Sequence, residues 1–281
     1  MFKSFDLSIK YAKLSYSILF QNPQLFLFPV FSGIGFVVVL ATFWLPLGGI
    51  DFFETGGFDS MSEQKMYFWT FLLYFACYFV ITFFGCALTA CTLELLDKGS
   101  TRLSTGLNMA TSRLPQIFMW AALSGVVGVM LTALERNSKI GSIVSAILGS
   151  AWSALSFFVI PYIVVDRAGP IEGISKSSSV LSKHWGTALV GNFSLGVINF
   201  LIVLPITLII FVLFFTVGQS SGGMTLLGIL ILGALLIGFT MATGSAANEV
   251  FKAILFRHAT NRSLPENIDA SSLDLAFSSK K

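Results

Sequence analysis

Residues 23–36 read PQLFLFPVFSGIGF, the opening of an apolar run that carries no charge from Gln24 to Leu47. The motif returns. Residues 115–128 read PQIFMWAALSGVVG, so Pro23, Gln24, Phe26, Ser32 and Gly33 align without gaps with Pro115, Gln116, Phe118, Ser124 and Gly125. A fainter copy, WGTALVGNFSLGVI, starts at Trp185 and again carries a serine, Ser194, nine residues on. The pattern predicts one unit used three times: an interfacial amphipathic helix, a sharp turn into the bilayer, and a hairpin of two spanning helices.

Composition supports that setting. The chain has 281 residues, of which 55% are hydrophobic and 11% charged, against about 25% charged in soluble domains. Its mean hydropathy is +0.83. A bilayer core of roughly 30 Å needs about 20 apolar residues in helix. Gln24–Leu47, Met66–Leu93 and Thr187–Val217 each exceed that without a charge. Backbone groups in lipid must bond within their own segment, and continuous apolar runs do not fit barrel strands. The expected fold is therefore all-α: six transmembrane helices in one domain over residues 1–258, with repeats at about 2–99, 100–169 and 170–258.

Residues 2–20 place Lys3, Asp6, Lys10, Lys13 and Ser17 in one wedge of a helix, with apolar faces on both sides, as in a helix lying in the interface. The run begins too late and lacks the cleavage site of a signal peptide. Asn22-Pro23 ends that helix. Span 2 closes at Asp97-Lys98-Gly99, and a second amphipathic stretch carries Leu103, Leu107, Ala110 and Leu114 on one stripe, with Arg102 and Arg113 outside it. Glu135–Lys139 reads as a tight turn between spans 3 and 4. Pro170 starts a third amphipathic helix, in which Glu172 and Lys176 form an i, i+4 pair. Span 5 is expected from near Gly186, kinked at Pro205, and span 6 over about 224–256. Residues 259–281 read as a flexible polar tail. Six spans put the termini and the loops after spans 2 and 4 on one side, with 14 of the 17 lysines and arginines. The positive-inside rule makes that side cytoplasmic.

Candidate functional residues are few. Asn192 and Asn199 share a face of span 5, and Asn248 follows on span 6, which marks a candidate polar pocket. Glu94, Glu249 and Lys252 lie near the inner ends of spans 2 and 6 and form a candidate charge cluster, since ionisable groups in spans are functional suspects. Small-residue ridges (Ser124, Gly128, Thr132; Ser145, Gly149, Ser153; Ala234, Gly238, Ala242, Ala246) read as helix contacts. His184 and His258 stand alone at membrane edges, and Cys77, Cys86 and Cys91 lie within one span. Neither set has metal-ligand or disulfide spacing. No GxSxG, Walker or GxGxxG motif occurs in its structural setting. No metal, cofactor or nucleic acid is expected. Candidate partners are the bilayer, anionic headgroups at the basic helices, a second copy of the chain, or another membrane protein.

Gln21-Asn22-Pro23 leading into Leu27-Phe28-Pro29, Arg113-Leu114-Pro115-Gln116, Gly191-Asn192-Phe193-Ser194-Leu195-Gly196 and Leu255-Phe256-Arg257-His258-Ala259 together resemble a family of uncharacterised prokaryotic six-span membrane proteins. The resemblance covers nearly the whole chain and implies an inner-membrane location, with no reaction or substrate. The expectation is a non-enzymatic membrane scaffold, assembly or lipid-organising component. The alternative is a small-solute or ion transporter with a path along span 5, and last comes a membrane enzyme acting on lipid.

Overall fold

The computed structural model describes residues 13–45, 61–217 and 223–260, without the side chains of residues 137, 183–195, 197, 198 and 223. Residues 2–12, the loop after span 1, the tail beyond residue 260 and the side chains of Asn192 and His184 therefore lie outside the described residues. Helices follow in this order: α1 (residues 13–21), a 3-10 turn Pro23–Phe26, α2 (Leu27–Trp44), α3 (Glu63–Lys98), α4 (Leu103–Ser112), α5 (Leu114–Asn137), α6 (Lys139–Leu155), α7 (Val159–Asp166), α8 (Pro170–Thr216) and α9 (Gly223–Ala259). No strand occurs among the described residues. Six segments are long and apolar enough to cross a membrane: Pro23–Trp44, Glu63–Lys98, Leu114–Arg136, Lys139–Asp166, Asn199–Thr216 and Met224–Ala259. This is the architecture of a multi-pass membrane protein.

The three motif copies are built differently. At the first, Asn22 ends α1, its side-chain amide donating to the Ile18 carbonyl at 2.9 Å, and Pro23 opens the 3-10 turn. At the second, α4 stops at Ser112 and α5 starts at Leu114, with Arg113 between them at φ −110°. At the third, helix α8 runs unbroken from Pro170 to Thr216 over 47 residues. At about 1.5 Å per residue it is roughly 70 Å long, more than twice a hydrocarbon core. The amphipathic helix and span 5, expected as separate elements, are one helix. Trp185 keeps the backbone N–H that proline lacks, so nothing there ends the ladder.

Span 4 departs the other way. It is read from the sequence as one helix, yet residues 156–158 break it into α6 and α7. Pro161 supplies the cause: it offers no N–H to the Phe157 carbonyl, and its ring clashes with that group. The break is satisfied from outside, because the buried Phe158 N–H donates to Ser177 Oγ of α8 at 3.0 Å. Irregular backbone at membrane depth is tolerated when it is buried in protein in this way.

The core lies toward one end of the bundle. Phe28, Cys86, Ile117, Phe158, Ile163, Phe251 and Phe256 are all essentially buried there, with Tyr162 edge-on to Phe256 at 4.9 Å. Away from it, α8 and α9 pack against each other with their spanning windows largely exposed: 0% and 6% are buried, against 33% in α5. The ridge of span 3 packs as expected, Gly128 beneath the Tyr74 ring and Thr132 hydrogen-bonded to Tyr74 at 3.2 Å. That of span 6 does so only at its inner end, where Ala246 is buried and Ala242 half-buried. Ala234 and Gly238 are exposed, and Gly233 and Gly244, one face round, carry the contact with α8.

Candidate functional site

The ends of α3, α7 and α9 and the start of α5 meet at the core end of the bundle. Gly99 lets the chain leave α3 in the left-handed region (φ 73°), its N–H closing on the Leu95 carbonyl at 2.8 Å. Helix α4 then lies against α3, where a Cβ on Gly106 would sit 2.5 Å from the Ala87 carbonyl oxygen and 2.7 Å from Cys91 Sγ. Gln24 of the first motif donates to the Thr101 carbonyl at 2.9 Å, tying span 1 to this corner. The second amphipathic segment is thus a packed part of the bundle.

These elements frame an open cavity of about 340 Å³. Its apolar walls are Ala90, Leu93, Met109, Val164 and Val165; its polar walls are Glu94, Asp97, Lys98, Thr105, Arg113 and Arg257. Glu94 accepts from Lys98 Nζ at 3.1 Å and from Thr101 Oγ1 at 2.9 Å. Arg257 Nη1 lies 2.7 Å from Asp97 Oδ1, joining the ends of α9 and α3. Arg113 is different. Its Nε donates to the carbonyls of Ile163 and Val164 at 3.1 and 3.2 Å, Nη2 to Val164 at 3.0 Å, and Nη1 to Ser112 Oγ at 3.0 Å. It therefore caps the C-terminus of α7, where carbonyls lack helical partners and the helix dipole is negative. Arg113 is only 6% exposed, and no carboxylate within ion-pair distance joins it among the described residues. Burial first, then the charge of Arg167, hold its pKa below the ordinary arginine range.

A second polar feature lies deeper. Lys252 Nζ binds Glu249 Oε1 at 2.8 Å, and both side chains are largely buried. The ammonium sits 5.6 Å from the Phe157 ring centroid, at the break in span 4. Glu249 precedes Arg257 by eight residues, about 12 Å along the helix. The expected Glu94, Glu249 and Lys252 cluster is thus divided: Glu94 lines the cavity, whereas Glu249 and Lys252 pair with each other. Asn199 packs on Gly244, where an added Cβ would meet its amide at 2.6 Å. Asn248 follows Gly244 by one turn, and Oδ1 of each asparagine is buried without a partner among the described residues. The structure brings these two asparagines to the same helix pair; Asn192 lies outside the described side chains.

A family model matches residues 65–263 and is described as a family of unknown function, DUF6159. The chain belongs to this family. The match spans α3 to the end of α9 and includes every cavity residue, while span 1 lies outside it. No curated protein and no solved structure matches the chain significantly. Sequence reasoning overlooked Arg113 and Ser177. The available signals were a charged residue directly before the Leu-Pro opening of a span, and Pro161 inside an apolar run.

Proposed function

We propose that this protein is a non-enzymatic component of a prokaryotic inner membrane that engages lipid through the cavity between α3, α4, α7 and α9. The carrying observation is the cavity's make-up: charged side chains and an apolar wall share one 340 Å³ space at the ends of spans 2, 4 and 6. That is the chemistry of a lipid where head meets chains. Basic pockets between spanning helices on the cytoplasmic side are recognised headgroup sites. The excess of lysine and arginine on the loops of this end supports a cytoplasmic setting for it and for both termini. The cavity charges are engaged in ion pairs and helix capping, which supports binding over proton transfer. The test is native mass spectrometry of the full chain released from detergent. We expect retained lipid, and its loss when Met109→Trp fills the cavity. Equal lipid retention by wild type and variant would sink the reading.

A transport reading draws on a separate observation, the broken span 4 beside the Glu249–Lys252 pair, since discontinuous helices build transporter sites. It predicts solute or ion flux across proteoliposomes that Lys252→Met abolishes. Wild-type flux equal to that of empty vesicles would rule it out.

A further inference from the structure

Resting on the lipid reading of the cavity, we infer that the group it receives is a phosphate, held by Arg113 and Arg257, with Asp97 as the built-in carboxylate that the phosphate displaces. Charge matching inside the cavity carries this. Lys98 answers Glu94 and Arg257 answers Asp97. Arg113 is left over: a residue 6% exposed, lining the cavity, with carbonyl and hydroxyl acceptors and no counter-anion among the described residues. Buried charges are normally paired. A guanidinium has five N–H donors, and the bonds of Arg113 occupy Nε and one hydrogen on each Nη. Two N–H donors remain, one on each Nη, of the kind that binds phosphate oxygens.

Asp97 gives the second half of the site. Its side chain is 59% exposed, whereas that of Arg257 is 7% exposed. The aspartate can turn into water at small cost, and the arginine cannot. An incoming anion would therefore take over Arg257 and release Asp97. Leu93, Met109 and Val164 form an apolar side suited to a glyceryl ester. A phospholipid headgroup and free inorganic phosphate share this phosphate chemistry, so the experiment must separate them.

The full chain is delipidated in a phosphate-free maltoside detergent, and its thermal midpoint is followed against dioleoyl phosphatidylglycerol, dioleoylglycerol with the same chains, and inorganic phosphate. We expect phosphatidylglycerol to raise the midpoint and dioleoylglycerol not to. Arg113→Gln should weaken the lipid about tenfold, as expected for loss of one charge-assisted contact. Asp97→Asn, at an exposed position, should tighten it. If Arg113→Gln does not fold, Asp97→Asn decides: unchanged or weaker phosphatidylglycerol binding overturns the inference. Equal binding of both lipids, insensitive to either substitution, overturns the phosphate but leaves the lipid reading standing. Binding of inorganic phosphate alone, dependent on Arg113, upholds the phosphate site and removes the lipid reading. Binding of none of the three removes both.

Discussion

The cavity and the deeper Glu249–Lys252 pair use the same side-chain chemistry and are assembled in opposite ways. The deeper pair is local. Its two residues sit three apart on one helix, 2.8 Å from each other. The cavity is non-local: Asp97, Val164 and Arg257 come from three helices and Arg113 from the α4–α5 junction, and all must fold before they meet. The pair is electrically closed, one cation to one anion. The cavity holds one arginine, Arg113, whose partners among the described residues are carbonyls and a hydroxyl. The pair is matched in charge, although Glu249 Oε2 is buried without a hydrogen-bond partner among the described residues, whereas a guanidinium without a counter-ion there leaves work for a ligand. The difference locates the place where binding would change the molecule most.

Removing Arg113 should have the largest effect. Arg113→Leu strips the carbonyls of Ile163 and Val164 of a buried, charged donor and uncaps α7. Hydrogen bonds to charged groups contribute about 1.5–3 kcal/mol each, so a loss of about 3 kcal/mol is expected in detergent unfolding. Because the arginine sits at a junction of four elements, the loss should appear as one cooperative shift. A midpoint equal to wild type would mean that Arg113 is a surface charge, and would erase the contrast between the two regions.

The deeper pair gives the next effect. Lys252→Met leaves Glu249 buried without its cation, whereas the double variant Glu249→Gln, Lys252→Met removes both charges. Breaking a buried pair costs about 3–5 kcal/mol, and replacing it whole is often neutral. With both side chains between one-seventh and one-fifth exposed, a cost near the lower bound, about 2–3 kcal/mol, is expected for the single change, with most of it recovered in the double. Thermal unfolding of the set checks this. Additive losses would show that the two residues act independently and that the pair is not closed.

Most of the architecture was legible because hydropathy acts over long windows. Six segments stand where the apolar runs put them, and Pro23 and Pro115 turn the chain as their missing N–H groups require. Local events were harder to read. The break expected near Trp185 rested on motif similarity, but Trp185 keeps its backbone N–H, so α8 continues there, and it continues past Pro205 as well. Pro161 carried the same chemistry without the motif and broke span 4. The candidate site was half legible. Glu94, Glu249 and Lys252 stand out as charges in apolar runs, but which of them meet depends on helix rotation, which composition does not set. Arg113 sits where a basic residue is ordinary, just outside a span; only the fold shows that it turns inward onto α7.

Ser177 sharpens the picture of the deeper region. Its hydroxyl receives the Phe158 N–H at the break, and the neighbouring Phe157 ring receives Lys252. Ser177→Ala leaves a buried N–H without a partner, at a cost of about 1–2 kcal/mol. Hydrogen exchange of the α6–α7 junction should accelerate, while that of the α4–α5 junction stays as it was. Equal protection at Phe158 in both forms would mean the break is satisfied from elsewhere.

The smallest effect is expected one residue earlier in the chain. Lys176 binds Glu172 at 2.8 Å and Asp166 at 2.9 Å, and Glu172 first, then Asp166, raise its pKa above the ordinary lysine range. A cation with a raised pKa contributes stability that is complete below its unfolded value, about 10.4, and lost only as pH rises through the folded one. Between pH 6 and 9 the contribution is therefore constant. It is also small, because these side chains face water and exposed pairs are weak and screened by salt. Lys176→Met should lower the thermal midpoint less than Ser177→Ala, by the same amount at pH 6 and pH 9. A larger loss, or one that grew between those pH values, would show that the surface triad fixes the start of α8 more firmly than exposed ion pairs usually can.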